Sequence, residues 1–499
     1  MTTDSARSPN STASRRRARI AIVGAGMSGL YMGLRLSQDD AADFVIYEKA
    51  DEVGGTWREN RYPGIACDVP SRFYTYSKVP NAGWSSLFPP GDEIWAYFRN
   101  ITDDHGLREH IRFSAEVTLA EWRDEQWVVS ATDGSVDTYD FVVTATGVLH
   151  HPKSPEIPGL DDFEGVVCHS ARWADDAEAA GRRVGVIGNG STGTQIVSAL
   201  SKRSEHLDLF LRTPQWMLPV PNRRYSAVGR YLGARVPLFN RVAYNVFRKT
   251  FEQTFGEATT HPGWQRTVMG AMCRLNLRRI RDRELRAKLT PSYEPMCKRI
   301  VLSWDFYRAV QRPTVNVVTD AIERVERTGI RTTDGEFHQL DMIVLATGFD
   351  ALAFMRPMNI VGPGGRTLAK DWAARPTSYN TVAVPGFPNL FTLIGPFSPV
   401  GNFSVIAIAE VQVGYVLDWL EMWRDAGLRP LAPKTEAGDR FIDAVHSAMG
   451  NTTWATGCTN WYMDAEGTPV TYPWGPVHHR NLLAHPTLAD YEPVTSSAS

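Results

Sequence analysis

Three things are scarce in this chain: long apolar runs, a surplus of charge of either sign, and paired cysteines. The longest apolar stretch, Ser404 to Trp423, is interrupted by Glu410, Gln412, Asp418 and Glu421. A bilayer span needs about 20 predominantly apolar residues, so this stretch reads as an amphipathic or half-buried helix and no membrane span is expected. Fifty-three Lys and Arg against 55 Asp and Glu leave a formal net charge of -2. No global field then favours nucleic acid or an anionic membrane surface. The five cysteines, Cys67, Cys168, Cys273, Cys297 and Cys458, are scattered without a C-x-x-C pair. That spacing argues against a disulfide framework or a structural zinc site, a reducing cytoplasm is the expected compartment, and no metal site is expected. Arg15-Arg16-Arg17 has no apolar core after it, so it does not read as an export signal. Residues 1–18 are Ser/Thr/Arg-rich and expected to form a disordered tail.

What the chain has is length and repetition. Its 499 residues suffice for two or three domains, and 43% hydrophobic with 22% charged content is ordinary for a globular enzyme. One unit runs from the apolar strand Arg19 to Val23, through Gly24-Ala25-Gly26-Met27-Ser28-Gly29, into a helix to about Ser37 and a strand Phe44 to Glu48. A second runs from Arg183 to Ile187, through Gly188-Asn189-Gly190-Ser191-Thr192-Gly193, into a helix to about Leu200 and a strand Leu207 to Leu211. Each has the strand–turn–helix–strand order of a Rossmann half. Each is closed by a return motif: Asp133-Gly134, an apolar strand Tyr139 to Thr144 and Ala145-Thr146-Gly147, then Asp334-Gly335, a strand Met342 to Leu345 and Ala346-Thr347-Gly348. The expected fold is α/β, with two Rossmann-like dinucleotide-binding domains and a helical insertion. The first domain takes residues 19–150 and 346–499. The second takes 151–345, entered through the Pro-rich stretch Pro152 to Pro158 and containing the insertion 222–292. That insertion reads as helices with a solvated charged face, or more sharply as a lid over a substrate channel.

A glycine turn between strand and helix has a physical task. Gly24 and Gly188 make the tight turn, Gly26 and Gly190 let backbone approach a pyrophosphate, and Gly29 and Gly193 let the helix close on the strand. The helix-opening residues Met27 and Ser28, and likewise Ser191 and Thr192, offer N–H groups to the phosphates. Twenty-four positions after Gly24 stands Glu48, and at the same offset from Gly188 stands Arg212. A carboxylate accepts hydrogen bonds from ribose hydroxyls, whereas a guanidinium grips a 2′-phosphate. The first unit is therefore expected to hold FAD, and the second NADPH in preference to NADH. Asn402 or Ser404 is expected to cap the helix that follows, whose N-terminal dipole favours negative charge on a reduced flavin.

Two further segments carry a family resemblance. Gly54-Gly55-Thr56-Trp57 continues through Asn60 and Tyr62-Pro63-Gly64 to Cys67-Asp68, and Phe163 to Trp173 spells F-x-G-x-x-x-H-x-x-x-W just before the second glycine turn. Together they closely resemble the NADPH-dependent Baeyer–Villiger monooxygenases of the flavin-containing monooxygenase superfamily, over about residues 19 to 475. The chain departs from the family in having Ala174, not Pro or Asp, after the fingerprint tryptophan.

The resemblance implies NADPH, FAD and O2 as reactants, a C4a-peroxyflavin, and oxygen insertion beside a ketone carbonyl to give an ester or lactone. It also implies roles for individual residues. Lys298 meets the 2′-phosphate, with Thr213 beside Arg212 as a further NADP contact. Arg299 lies over the flavin and pairs with Asp68, while Gly55, Thr56, Trp57 and Tyr74 line the FAD site. His169 is a linker contact, Cys67 a packed thiol, and Trp461 belongs either to a mobile C-terminal loop or to the core. The alternatives are a heteroatom monooxygenase on the same scaffold and, outside enzymes, a nucleotide-binding redox sensor. A flavin disulfide reductase requires a redox cysteine pair that the spacing does not offer.

Overall fold

In the computed structural model, which describes residues 17–174, 177–398, 403–427, 429–458, 463–464 and 466–494, the two glycine-turn segments head two separate five-stranded parallel sheets. The first sheet runs in the order Leu390–Thr392, Phe141–Thr144, Arg19–Val23, Asp43–Tyr47, Ile111–Arg112. The second runs Val315–Val318, His206–Phe210, Arg183–Ile187, Met342–Leu345, Val166–His169. In both, the strand that feeds the glycine turn lies at the centre. Val23 pairs with Tyr47 on one side and Thr144 on the other, as Ile187 pairs with Phe210 and Leu345. Runs such as Ile-Ala-Ile-Val are continuously apolar because a parallel strand is covered on both faces.

Each aspartate-glycine turn closes an antiparallel hairpin in a small sheet beside the parallel one. Gly134 and Gly335 adopt φ of 86° and 90°. Asp133 accepts the Ser135 N–H at 2.9 Å and Asp334 the Glu336 N–H at 3.1 Å. The stretch Tyr139 to Thr144 is two strands rather than one, Val136–Tyr139 and Phe141–Thr144. The break falls at Asp140, whose carboxylate accepts the Arg19 N–H at 3.0 Å where the chain passes from one sheet to the other. The first helix extends two residues past Ser37, to Asp39, and stops at Asp40 in the left-handed region.

Residues 222–292 are largely helical: Ala227–Arg235, Pro237–Phe251, Trp264–Leu277 and Arg283–Lys288. The insertion is anchored on the first unit by Arg72. That guanidinium donates to Asn240 Oδ1 at 2.6 Å and to the Gly229 carbonyl at 2.9 Å, and lies 4.7 Å from the ring of Tyr225. The helix Val405–Ala426 is capped by Ser404, which accepts the Ala407 N–H at 3.4 Å. Asn402 and Trp461 lie outside the described residues.

One expectation fails. Cys297 and Cys458 form a disulfide across 161 residues of sequence, while Cys67, Cys168 and Cys273 are free and buried. Pairing over that distance leaves no local spacing to read. The inference of a reducing compartment, which rested on unpaired cysteines, loses its basis.

Strand and helix of each unit touch through glycine. A Cβ on Gly29 would stand 1.9 Å from the Gly24 carbonyl oxygen, and one on Gly193 2.1 Å from that of Gly188. Gly29→Ala is expected to destabilise the chain by about 1–3 kcal/mol, the usual cost of forcing extra atoms into a packed contact. A lowered thermal midpoint together with reduced flavin retention checks this, and an unchanged midpoint removes the packing role.

Candidate active site between the two dinucleotide-binding units

Gly24 takes φ +108°, and a side chain there would meet the Ala145 carbonyl oxygen at 2.7 Å. The Ala-Thr-Gly return therefore sits directly behind the turn. Gly26 caps the helix Met27–Asp39, and Ser28 is buried at its start. The Gly54-Gly55 loop closes over this turn. Gly54 N–H donates to the Ala25 carbonyl at 3.0 Å, and a Cβ on Gly55 would lie 3.1 Å from Gly26 Cα. Two glycine backbones face each other with no side chain between them, followed by the helix openings at Met27 and Thr56. That is a cradle suited to a diphosphate.

Glu48 stands just past the end of Asp43–Tyr47. Its carboxylate accepts backbone N–H groups from Ala25 at 2.7 Å and Ala50 at 3.0 Å. Burial pushes its pKa up, and the two backbone donors oppose the shift. Each oxygen has more than one lone pair, so these bonds orient the group and leave acceptor capacity for a ribose.

The second turn repeats the first. Gly188 takes φ +106° with the Ala346 carbonyl oxygen 2.5 Å from its missing Cβ, and nothing stands within 4 Å of a Cβ on Gly190. Ser191 and Thr192 open the helix Ser191–Leu200. The Asn189 side chain is buried in the turn with its amide nitrogen unpartnered among the described residues, a donor suited to a dinucleotide. Arg212 is exposed past the end of His206–Phe210, with Thr213 half-buried beside it. Lys298 lies with its Nζ 4.9 Å from the Tyr293 ring. Neither Arg212 nor Lys298 forms an ion pair with a carboxylate among the described residues. Burial first, and the Arg212 charge second, hold the Lys298 amine below the usual lysine range. Two uncompensated cations in one place fit a phosphate.

The two units meet at the segment that runs from Gly54 to Asp68. Gly64 takes φ +86°, and a side chain there would lie 2.9 Å from the Gln195 carbonyl oxygen on the second unit's helix. Gln195 Nε2 donates to the Ala66 carbonyl at 2.9 Å, and its Oε1 accepts the Tyr62 hydroxyl at 2.9 Å. This contact delivers Asp68 to Arg299. Arg299 Nε donates to Oδ2 at 3.1 Å and Nη2 to Oδ1 at 2.7 Å, a bidentate pair with the side chains 32% and 20% exposed. Trp57 Nε1 donates to the Tyr74 hydroxyl at 3.0 Å, with the rings edge to face. Cys67 is buried, and burial, with Asp68 second, drives its thiol pKa well up. That is the opposite of a reactive thiol.

His169 Nδ1 accepts the Ala171 N–H at 3.1 Å, and burial lowers its pKa. It holds a turn at the end of Val166–His169. Gln195 and Tyr62 escaped the sequence reading as site residues. Tyr62 stands within the Gly54–Asp68 segment that carries the resemblance, but Gln195 carries no local signal, because its role exists only once the two units touch.

A lysine with a depressed pKa loses its charge at lower pH than an ordinary one, and a bound 2′-phosphate favours the charged form. Affinity for NADPH should therefore weaken with rising pH, starting below the usual lysine range, and Lys298→Arg should flatten that profile because guanidinium stays protonated. Lys298→Ala or Arg212→Ala should reduce the preference for NADPH over NADH by about tenfold or more, the scale of one charge-assisted hydrogen bond. Steady-state KM values for both nucleotides across a pH series check both statements.

Comparison with known proteins agrees with this geometry. Residues 17–359 match the family model described as flavin-binding monooxygenase-like. The chain is 47% identical to a monooxygenase of Mycobacterium tuberculosis strain H37Rv over 473 residues, covering 95% of each chain. It is 39% identical to a Baeyer-Villiger monooxygenase of Streptomyces coelicolor, covering 95% of this chain and 92% of the other. The solved complex of OTEMO with FAD and NADP superposes with a TM-score of 0.85 at 26% identity, covering 95% of this chain and 99% of that one. The chain belongs to the flavin-binding monooxygenase-like family, among its Baeyer–Villiger members, and takes FAD and NADP as cofactors.

Proposed function

We propose that residues 19–150 with 346–499 bind FAD, that residues 151–345 bind NADPH, and that the chain uses O2 to insert one oxygen atom beside a ketone carbonyl, yielding an ester or lactone. The observation that carries this reading is the bidentate Asp68–Arg299 pair at the junction of the two units. Arg299 directly follows Lys298 of the cation pair, and Asp68 lies on the segment that begins with Gly54-Gly55 of the glycine cradle. Bound flavin, once reduced by NADPH, supplies the activation of O2; the remaining tasks fall to the protein.

Gly24, Gly26, Met27, Ser28 and Gly29, with Gly55 and Thr56 opposite, hold the FAD diphosphate through backbone N–H groups. Glu48 orients the ribose, and Trp57 and Tyr74 wall the flavin side. Gly188, Gly190, Ser191, Thr192 and Gly193 hold the NADP diphosphate, while Arg212, Thr213 and Lys298 recognise the 2′-phosphate. Asp68 fixes the plane of the Arg299 guanidinium, so that a positive charge is already in place where an oxygen near the substrate carbonyl becomes negative. A preorganised charge costs no reorganisation during the reaction. The Cys297–Cys458 disulfide does not turn the reading toward a disulfide reductase, since the family match runs through both glycine turns to residue 359.

Arg299→Ala is expected to lower ester formation by about 10²–10³-fold, the range for removal of one preorganised donor. The test supplies a ketone and a thioether together and identifies products by mass spectrometry. Ester formation that survives Arg299→Ala near the wild-type rate overturns the role of Arg299. A wild-type enzyme that oxidises only the thioether assigns the chain to heteroatom oxidation instead.

A further inference from the structure

The near-neutral net charge conceals a segregation. Residues 222–292 contain fifteen Lys or Arg and four Asp or Glu, a local +11. The whole chain carries -2, so the rest carries -13. Within the insertion, Arg278, Arg281 and Arg283 are exposed and pair with no carboxylate among the described residues.

The same insertion leaves apolar side chains in the open. On the helix Trp264–Leu277, Trp264 is 68% exposed, Val268 46%, Met272 41% and Leu275 64%. Their spacing puts them on one face of a helix about 21 Å long. The opposite face is committed: Met269, Cys273 and Leu277 are buried, and Asn276 Nδ2 donates to the Met217 carbonyl at 3.1 Å. The helix cannot roll to hide its outer stripe. Leu238, Val242 and Val246 repeat the pattern on Pro237–Phe251.

Few occupants suit an apolar stripe continued by unpaired arginines. A nucleic acid satisfies the charge and not the stripe. A second copy of this face brings another strongly basic surface against it. The chain's own residues 1–16 contain Arg7, Arg15 and Arg16 and no large apolar side chain beyond Met1. A bilayer with anionic headgroups offers both chemistries at the matching depths, with tryptophan at the boundary. We propose that the insertion docks peripherally on an anionic lipid bilayer. Trp264, Val268, Met272 and Leu275 enter the headgroup boundary, and Arg278, Arg281 and Arg283 lie against the phosphates. No helix of the described residues is long and apolar enough to cross the membrane, so the docking is to one leaflet. The inner face of this helix packs on the segment around Met217 and against Pro295, close in sequence to Lys298 and Arg299.

The test is co-sedimentation of the full flavin-loaded chain with vesicles of phosphatidylcholine containing about 30 mol % phosphatidylglycerol, against vesicles of phosphatidylcholine alone. The wild type should bind the anionic vesicles about tenfold or more tightly, and added salt should weaken that binding. W264E/L275E, at two exposed positions, should lose at least about tenfold in binding while keeping its flavin. R278Q/R281Q/R283Q should bind more weakly and with a shallower salt dependence. Equal binding to both vesicle types overturns the proposal, as does W264E/L275E sedimenting like the wild type. Sedimentation velocity showing a lipid-free dimer that W264E/L275E dissociates would assign the stripe to a second copy, and overturn it too.

Discussion

A bidentate pair between Asp68 and Arg299, residues 231 apart in sequence, is the point on which the arrangement of the two units turns. Neither side chain is fully buried, so solvent screens the pair and its net contribution to stability is modest. Its value lies in geometry. Arginine's planar fork meets a carboxylate in one orientation, and that orientation carries over to the relation between the unit holding Asp68 and the segment holding Arg299. The approach is steric before it is electrostatic. Gly64 removes the one side chain that would collide with the Gln195 backbone, and Gln195 then bridges Tyr62 and Ala66. Gly64 is in this sense an interface residue, and the aspartate four positions later profits from it.

What could be read from sequence follows from how local each cause is. The glycine turns, the flanking apolar strands and the aspartate-glycine hairpins each rest on a few neighbouring residues. Gly24 and Gly188 have left-handed φ values because the strand must turn at once into a helix, and Ala145 and Ala346 stand behind them for the same reason. The break at Asp140 was not legible, since it depends on the Arg19 N–H arriving from more than a hundred residues away. The Cys297–Cys458 bond, the Gln195 bridge and the Ala25 donor on Glu48 belong to the same class. Each is set by distant segments meeting, and composition or spacing says nothing about that.

Charge shows the same limit differently. A net of -2 is a sum, and a sum is blind to where its terms sit. The basic excess of residues 222–292 is more than offset by the acidic remainder of the chain, yet a surface responds to charges within about a Debye length, ~8–10 Å at ordinary salt. Arg278, Arg281 and Arg283 are exposed, as a solvated charged face of the insertion requires. The structure adds that an exposed apolar stripe leads into it, which solvation alone does not account for.

The segment that carries Lys298 and Arg299 is held from several directions. Ahead of it, the Tyr293 hydroxyl donates to Gln215 Oε1 at 2.9 Å, and Trp216 Nε1 donates to the Tyr293 carbonyl at 2.7 Å. Directly before it, Thr453 donates to the Met296 carbonyl at 3.0 Å, and Cys458 is bonded to Cys297. Asp68 closes the third side. Met296 takes φ +74° in the middle of these restraints, a conformation that costs a side-chain-bearing residue of order 1–3 kcal/mol and persists only where its surroundings over-determine it. On the roles proposed for them, a cation at Lys298 that serves a nucleotide phosphate and one at Arg299 that serves a reacting oxygen have little tolerance for backbone motion. The left-handed turn, the tether to the C-terminal region and the ion pair all act to fix those two positions.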